Sequence, residues 1–382
     1  MDEYSVRFVA KKISKIRWRP KLDPKGPQSR TFATGTWDDQ NNSVALWKIL
    51  DRPTTSENGD AESLLVHEPQ KVFETSHTGD VMDLQYVNYD LMAVASSTGS
   101  VSLLKHRPNS EAVTSVCTWD KLHQFKLGGL APCTCLATRD DWIASGGEDG
   151  RAVLLAIEQR APLQTLDKVD SCAINDLSFL KQSEIITVNS FGQLKTFDLR
   201  QDTSKESQIF SVTETHTPLL CVDRHPGQPH IVATGGDDGM LTIWDLRQEK
   251  FHMTLMEAHT GPIWEVKFHP LYPNHLFTCS DDGSLWHWDC TDCGSDLVQP
   301  FMSSKVPGKP GITAGIPGTA GSKSITSPWL SLVETASSNR LDIASLLPNK
   351  SLPVNSLDIQ AATLICGTDS ETIYTIPLPA LS

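Results

Sequence analysis

The chain predicts an all-β fold, a single seven-bladed β-propeller, on three observations. The first is a motif written twice. One copy runs His216, Cys221-Val222-Asp223-Arg224-His225-Pro226, Ala233-Thr234-Gly235-Gly236-Asp237-Asp238-Gly239 and Leu241-Thr242-Ile243-Trp244-Asp245. The other runs His259, Glu265-Val266-Lys267-Phe268-His269-Pro270, Thr278-Cys279-Ser280-Asp281-Asp282-Gly283 and Leu285-Trp286-His287-Trp288-Asp289. The second observation is period-two alternation in short runs such as Leu241-Thr242-Ile243-Trp244, the pattern of a half-buried strand. Asp238-Gly239 and Asp282-Gly283 divide these runs and suit tight hairpins. The third is length: seven units of about 42 residues use roughly 290 to 300 positions. That leaves some 80 or 90 of the 382 residues for insertions.

A unit of about 40 to 45 residues with an early His and a closing Trp-Asp marks a WD-repeat blade. Taken from the N-terminus, Val6-Arg7-Phe8-Val9-Ala10 is a strand with no partner of its own. Blade 1 uses Ile16-Arg17-Trp18-Arg19-Pro20, Ala33-Thr34-Gly35-Thr36-Trp37-Asp38 and Val44-Ala45-Leu46-Trp47. Blade 2 starts at His77-Thr78-Gly79, with Thr98 in place of the turn Asp and Leu104 in place of Trp. Blade 3 keeps Ser145 and Asp149 but has Leu155 for Trp, and blade 4 has Phe191-Gly192 and Phe197-Asp198. The two clear copies are blades 5 and 6. Blade 7 uses Val354–Ile359, Leu364–Asp369 and Thr372–Ile376, after which too few residues remain for a fourth strand. The N-terminal strand is therefore expected to complete blade 7 and close the ring, which protects edges otherwise open to pairing. Insertions are expected at about 51–70, 107–132 and 290–350. The first is acidic. The last is Pro/Gly-rich at 306–322 and reads as flexible there, while Trp329 to Leu347 is apolar enough to pack on the ring or on a partner.

Four positions recur in the two clear blades: His216, Thr234, Asp238 and Trp244 in one, and His259, Thr278, Asp282 and Trp288 in the other. The His, Asp and hydroxyl imitate a catalytic triad. Their recurrence with the strand pattern, always ending on Trp, makes them instead a structural chain from turn Asp to His to hydroxyl to indole. Each buried polar group left without a partner would cost about 1 to 3 kcal/mol.

Composition excludes several functions. With 39% hydrophobic and 21% charged residues the chain is that of an ordinary globular protein, and no stretch approaches the roughly 18 apolar residues of a membrane helix. Met1-Asp2-Glu3-Tyr4 does not open a secretory signal, and nine scattered cysteines do not form a disulfide framework. These features fit an intracellular protein with reduced thiols. A net charge of −13 opposes nucleic-acid binding. The one basic run, Lys11, Lys12, Lys15, Arg17, Arg19, Lys21 and Lys25, alternates with Ile13, Ile16 and Trp18 and reads as a strand with a solvated basic face. Cys290-Thr291-Asp292-Cys293 has metal-ligand spacing but no second pair, and His287 beside it sits in a strand where it is expected to face solvent. Gly146-Gly147 and Gly235-Gly236 have no helix or Lys to cradle phosphate. No catalytic, metal or cofactor residue is assigned, and no enzyme is expected.

Several strings are more specific than the repeat. Lys11-Lys12-Ile13-Ser14-Lys15-Ile16-Arg17-Trp18-Arg19-Pro20, His77-Thr78-Gly79-Asp80-Val81-Met82-Asp83-Leu84-Gln85 and Phe277 to Asp289 resemble the forty-three-kilodalton nucleoporin family of vertebrates. Ser351 to Asp358 and Cys366-Gly367-Thr368-Asp369 extend the resemblance over nearly the whole chain. It is weakest at 51–70, 107–132 and 295–325, as in a divergent member. The resemblance implies a structural subunit of the Y-shaped outer-ring complex of the nuclear pore, docked on the eighty-five-kilodalton helical nucleoporin of its short arm. It also implies residence at the nuclear envelope and association with kinetochores in mitosis, with protein partners rather than small molecules, nucleic acid or a membrane interior.

Two other readings compete. Phe197-Asp198-Leu199-Arg200 and Trp244-Asp245-Leu246-Arg247 resemble the paired boxes by which propellers dock on a cullin ubiquitin-ligase adaptor, so Arg200 and Arg247 become candidate contacts. The plainer account is that each Arg pairs with a nearby carboxylate. A propeller hydrolase or lyase would need carboxylates or histidines clustered in the central channel.

Overall fold

The computed structural model describes residues 4–23, 25–53, 65–107, 112–167, 169–201, 208–211, 216–247, 253–291, 327–331, 341–348, 352–378 and 381. Among them are seven four-stranded antiparallel sheets, the blades of a propeller. Blade 1 is Ile13–Trp18, Thr31–Thr36, Ser43–Pro53 and Leu65–Ser76; blade 2 is Val81–Tyr86, Leu91–Ser96, Val101–Arg107 and Ala112–Trp119. Blade 3 is Cys133–Arg139, Trp142–Gly147, Ala152–Ala156 and Gln164–Leu166; blade 4 is Ile174–Lys181, Glu184–Asn189, Gln193–Asp198 and Gln208–Ser211. Blade 5 is Leu219–Arg224, Ile231–Gly236, Met240–Asp245 and Met253–Glu257; blade 6 is Ile263–Phe268, His275–Ser280, Leu285–Asp289 and Asp342–Ser345. Blade 7 combines Val354–Gln360, Thr363–Thr368 and Thr372–Pro377 with Ser5–Phe8. The N-terminal strand runs antiparallel to Thr372–Pro377, from Ser5↔Thr375 to Phe8↔Thr372, and closes the ring.

The apolar residues fall into seven buried clusters, each shared between two neighbouring blades. Ile13, Phe32 and Trp47 of blade 1 pack on Ile365 and Ile373 of blade 7, and Phe277 and Leu285 of blade 6 pack on Leu357, Leu364 and Cys366 of blade 7. Each sheet is thus buried on both faces by its neighbours, and a blade taken alone would expose most of its core. At the indole position Leu155 and Phe197 are 0% and 2% exposed, so apolar packing replaces the missing Trp of blades 3 and 4. Turn chemistry sets the hairpins. Gly239 has φ of 78°, and a Cβ there would overlap the His259 carbonyl of the next repeat, so no other residue fits without moving that chain.

The three expected insertions are partly blade. Ser43–Pro53 and Leu65–Ser76 form one long ribbon, from Ser43↔Ser76 out to Pro53↔Leu65, so strand enters 51–70 from both ends, and 54–64 lie outside the described residues. Ala112–Trp119, within 107–132, is the outer strand of blade 2. Asp342–Ser345, within 290–350, is the outer strand of blade 6. In the same insertion Trp329, on the short helix Pro328–Ser331, is fully buried between blades 5 and 6, and its indole Nε1 donates to the Pro273 carbonyl at 2.9 Å. Residues 292–326, which include the Pro/Gly-rich run, lie outside the described residues, as do 332–340. No described helix is long and apolar enough to cross a membrane.

Candidate functional site

Blade 6 holds the most complete polar chain. The Trp288 indole Nε1 donates to Thr278 Oγ1 at 3.0 Å, and His259 Nε2 lies 2.7 Å from the same hydroxyl. On its other side His259 Nδ1 lies 2.6 Å from Ser284 Oγ, which donates in turn to Asp282. The direct His259 to Asp282 separation is 3.5 Å, so Ser284 carries the link between turn and ring. Asp282 also accepts the Thr260 and Ser284 amides, both at 2.9 Å. Burial works to raise its pKa, but these donors hold it well below the usual carboxylate range.

Blade 5 carries only half of that chain. Trp244 Nε1 donates to Thr234 Oγ1 at 2.9 Å, but His216 does not join them. Its exposed ring stacks on Phe191 of blade 4, with centroids 3.8 Å apart and planes at 22°. Asp238 is exposed and accepts the Met240 amide at 3.1 Å. The expected grouping of His216 with Thr234 and Asp238 is therefore corrected. Phe191, standing where most blades have a polar turn residue, offers an aromatic face that His216 reaches without giving up water.

Blade 3 has a chain that the sequence reading missed. His123 Nδ1 lies 2.9 Å from Asp149 Oδ1 and Nε2 lies 3.0 Å from Ser145 Oγ, with the ring fully buried. Here 22 residues separate His from hydroxyl, against 19 in blade 6, and that longer spacing hid it. Blade 1 repeats the Trp–Thr bond, Trp47 Nε1 to Thr34 Oγ1 at 2.9 Å. The His-Pro pairs act in the first hairpin of their blades. His225 Nδ1 accepts the Gln228 amide at 2.9 Å and His269 Nδ1 accepts the Tyr272 amide at 3.0 Å.

The innermost strands line a channel where the charges gather. Lys15, Arg17 and Arg19, expected on a solvated face, are turned inward or locked. Arg17 Nη2 meets Glu265 at 2.6 Å and Lys15 Nζ meets it at 2.8 Å, with the Arg17 and Glu265 side chains each 6% exposed. Arg19 pairs with Asp90 at 3.1 Å and lies over the Tyr89 ring. The blade 1 strand is the ring's inner lining, so its alternate residues see carboxylates of other blades rather than solvent.

Those carboxylates also bind one blade to the next. Asp83 accepts the Leu136 amide, Asp176 the Val222 amide, Asp223 the Phe268 amide, Glu265 the Leu357 amide and Asp358 the Trp18 amide, at 2.7 to 2.8 Å. In each case an acid on one inner strand takes an amide that the neighbouring inner strand has no ladder partner for. Their electrostatics differ. Burial opposes ionisation of Glu265, but the charges of Arg17 and Lys15 hold its pKa well below the ordinary value. Asp176 forms no ion pair among the described residues, and burial, followed by the charge of Asp83, pushes it up to about 7; burial likewise pushes Asp223 up to about 6. A hydrolytic centre needs an acid and base facing a substrate-sized space. Here the acids are turned to backbone amides and cations, a structural arrangement.

Arg200 and Arg247 fold back on their own boxes. Arg200 donates from Nε and Nη2 to Asp198 at 2.9 and 2.6 Å, and Arg247 repeats the pattern on Asp245 at the same distances. The remaining guanidinium edge is open on both, with side chains 71% and 47% exposed. No group of three metal-ligating side chains occurs among the described residues. Cys290 is fully buried, and Cys293 lies outside the described residues. His287, expected to face solvent, is instead within 3.0 Å of His275 and stacked on Phe277 at 4.6 Å. Burial lowers its pKa to about 4, which keeps the ring neutral in its crowded outer face of blade 6.

Comparison with known proteins agrees with this geometry. The profile of the WD domain, G-beta repeat matches residues 207–245 and 250–289, part of blade 4 and blades 5 and 6. The chain is similar over nearly its full length to nucleoporin Nup43 of Mus musculus, 42% identical over 389 residues that cover 98% of each chain. Similarity to nucleoporin Nup43 of Homo sapiens is the same, 42% over 392 residues and 98% of each. The nuclear pore complex protein nup43 of Dictyostelium discoideum is 30% identical over 124 residues, 32% of this chain and 29% of its own.

Proposed function

Because the chain belongs to the Nup43 family of nucleoporins, we propose that it is a scaffold subunit of the nuclear pore's Y-shaped complex, binding proteins and catalysing nothing. The observation that carries this reading is the extent of the match, 98% of each chain. At that coverage it includes the irregular blade 7, where the repeat profile finds nothing, so more than a generic propeller is shared. The finer expectations belong with the proposal: a short-arm position docked on the eighty-five-kilodalton helical nucleoporin, and travel with that complex to kinetochores in mitosis. A propeller suits such a role because the clasped ring is rigid and its loops and outer strands present separate surfaces.

Affinity purification of the tagged chain at gentle salt, with co-purifying chains identified, tests it. The helical nucleoporin should be recovered in stoichiometric amount. Recovery of cullin and its adaptor without nucleoporins would transfer the function to the ligase reading. That reading has its own test, since Arg200→Ala with Arg247→Ala should abolish adaptor recovery if the boxes are used. The closure of both arginines on Asp198 and Asp245 supports the plainer account of the boxes.

A further inference from the structure

The channel opens into a cavity of ≈ 440 Å³ lined by the inner strands of blades 1 to 6. Most of its cations are spoken for: Lys15 and Arg17 by Glu265, and Lys267 by Asp358 at 2.9 Å. Two are not. Arg139, at the end of the blade 3 inner strand, and Arg224, at the end of the blade 5 inner strand, flank blade 4 and both line the cavity. Neither forms an ion pair among the described residues, and Arg139 Nη1 is shut off from solvent without a hydrogen-bond partner. Asp223 acts on Arg224 through its charge, but the oxygens of the nearby acids are engaged by backbone. Asp223 is turned to the Phe268 and Arg224 amides and Asp176 to the Val222 and Leu177 amides. Burial first, then the charge of Arg139, lowers the pKa of Arg224, against the opposing charge of Asp223.

Both side chains are half-buried, where a guanidinium without an acceptor is costly, and two of them lining one cavity form half of a binding site. We propose that Arg139 and Arg224 receive a carboxylate side chain from an acidic segment of a protein partner, inserted into the channel mouth between blades 3 and 5. A planar carboxylate matches the forked donors of Arg two bonds at a time, and Arg anchors in pockets are typical interface hot spots. Phosphate or nucleic acid fits less well, because Asp176 and Asp223 line the same cavity and would repel a dianion or polyanion more strongly than a single negative charge. The inference rests on the reading of this chain as a protein-binding scaffold and adds the chemistry of one contact.

The test uses an end-blocked peptide with a single glutamate among glycines and serines, carrying a neutral rhodamine label, titrated with the purified full chain at low ionic strength and read by anisotropy. Wild type should bind, and R139Q/R224Q should bind about tenfold or more weakly. R200Q/R247Q removes the same charge from arginines that already have partners, and should bind like wild type. Equal loss in both double variants would reduce the effect to long-range charge and overturn the site, as would no binding by wild type. Displacement of the peptide by inorganic phosphate at lower concentration than by glutamate would overturn the ligand class. The melting midpoint supplies a second reading, since R139Q/R224Q removes unpaired charges and should melt no lower than wild type. If the double variant fails to fold, R139Q alone carries the same expectation. The titration involves no second nucleoporin, so its failure leaves membership of the pore untouched, and a failed co-purification leaves the titration intact.

Discussion

Replacing Glu265 with Ala tests whether the channel charges hold the ring together. Glu265 takes two bonds from Arg17, one from Lys15 at 2.8 Å, one from Ser356 at 3.1 Å and the Leu357 amide at 2.8 Å. Its loss leaves Arg17 buried with Asp83, at 3.5 Å, as its remaining ion-pair partner among the described residues. Removing one partner of a buried pair costs about 3 to 5 kcal/mol. Lys15, at 19% exposure, has water within reach and adds little. The orphaned Leu357 amide alone accounts for about 1 to 3 kcal/mol, overlapping with the first figure, so about 3 to 5 kcal/mol is expected in total. Urea denaturation at neutral pH reads it, and Glu265→Gln, which keeps an acceptor but not the charge, should lose roughly half as much. The pH dependence gives an independent reading. The folded pKa of Glu265 is depressed, so its contribution is present above the unfolded value of about 4.3 and is lost as pH falls through the folded value. Glu265→Ala should therefore flatten the acid limb of the wild-type stability curve. A midpoint within about 1 kcal/mol of wild type, with an unchanged acid limb, would refute the reasoning.

Three further outcomes are expected. Asp176 and Asp223, with folded pKa values near 7 and 6, bind more protons folded than unfolded in the window above about 3.9, so stability should fall as pH rises from 5 to 8. Asp176→Asn should flatten that slope in a series of thermal melts, and a slope equal to wild type would remove Asp176 as its source. Asp282→Ala should lower stability by about 1 to 3 kcal/mol through loss of the Ser284 link to His259 and of two amide acceptor bonds; a denaturant midpoint equal to wild type would count against it. Deleting residues 1–10 removes the partner of Thr372–Pro377 and should give lower melting temperature and aggregation, whereas a monodisperse product of wild-type stability would show that ring closure contributes little.

The parts of this molecule legible in the sequence are those written locally. Thr-Gly-Gly-Asp-Asp-Gly before a Trp-Asp strand places three strands and two turns within about 30 residues, and the same outline, degraded, finds the other blades. The outer strands Ala112–Trp119 and Asp342–Ser345 were hidden because an edge strand half in solvent has little hydrophobic signature; the exposed Val116 and Ile343 illustrate this. The channel was invisible for a different reason. Arg17 and Glu265 meet across 248 residues, and nothing in the Lys-Ile-Arg-Trp pattern distinguishes a strand facing water from one facing the carboxylates of five other blades. His216 shows the opposite case, a motif position whose expected contact Phe191 redirects.

The closing of blade 7 also sets an order in time. Thr375 leaves the ribosome 370 residues after Ser5, its partner across the closing ladder. At about 5 to 20 residues per second that interval is roughly 20 to 70 s. For all of it the N-terminal strand has no ladder to join, with Val6 and Phe8, which stay 46% and 64% exposed even in the finished ring, free to meet other chains. Six blades can stack as they emerge, but the seventh cannot. Ring closure is therefore a single late step that converts an open arc into a ring, and holding the first strand until then is a task for whatever attends the nascent chain.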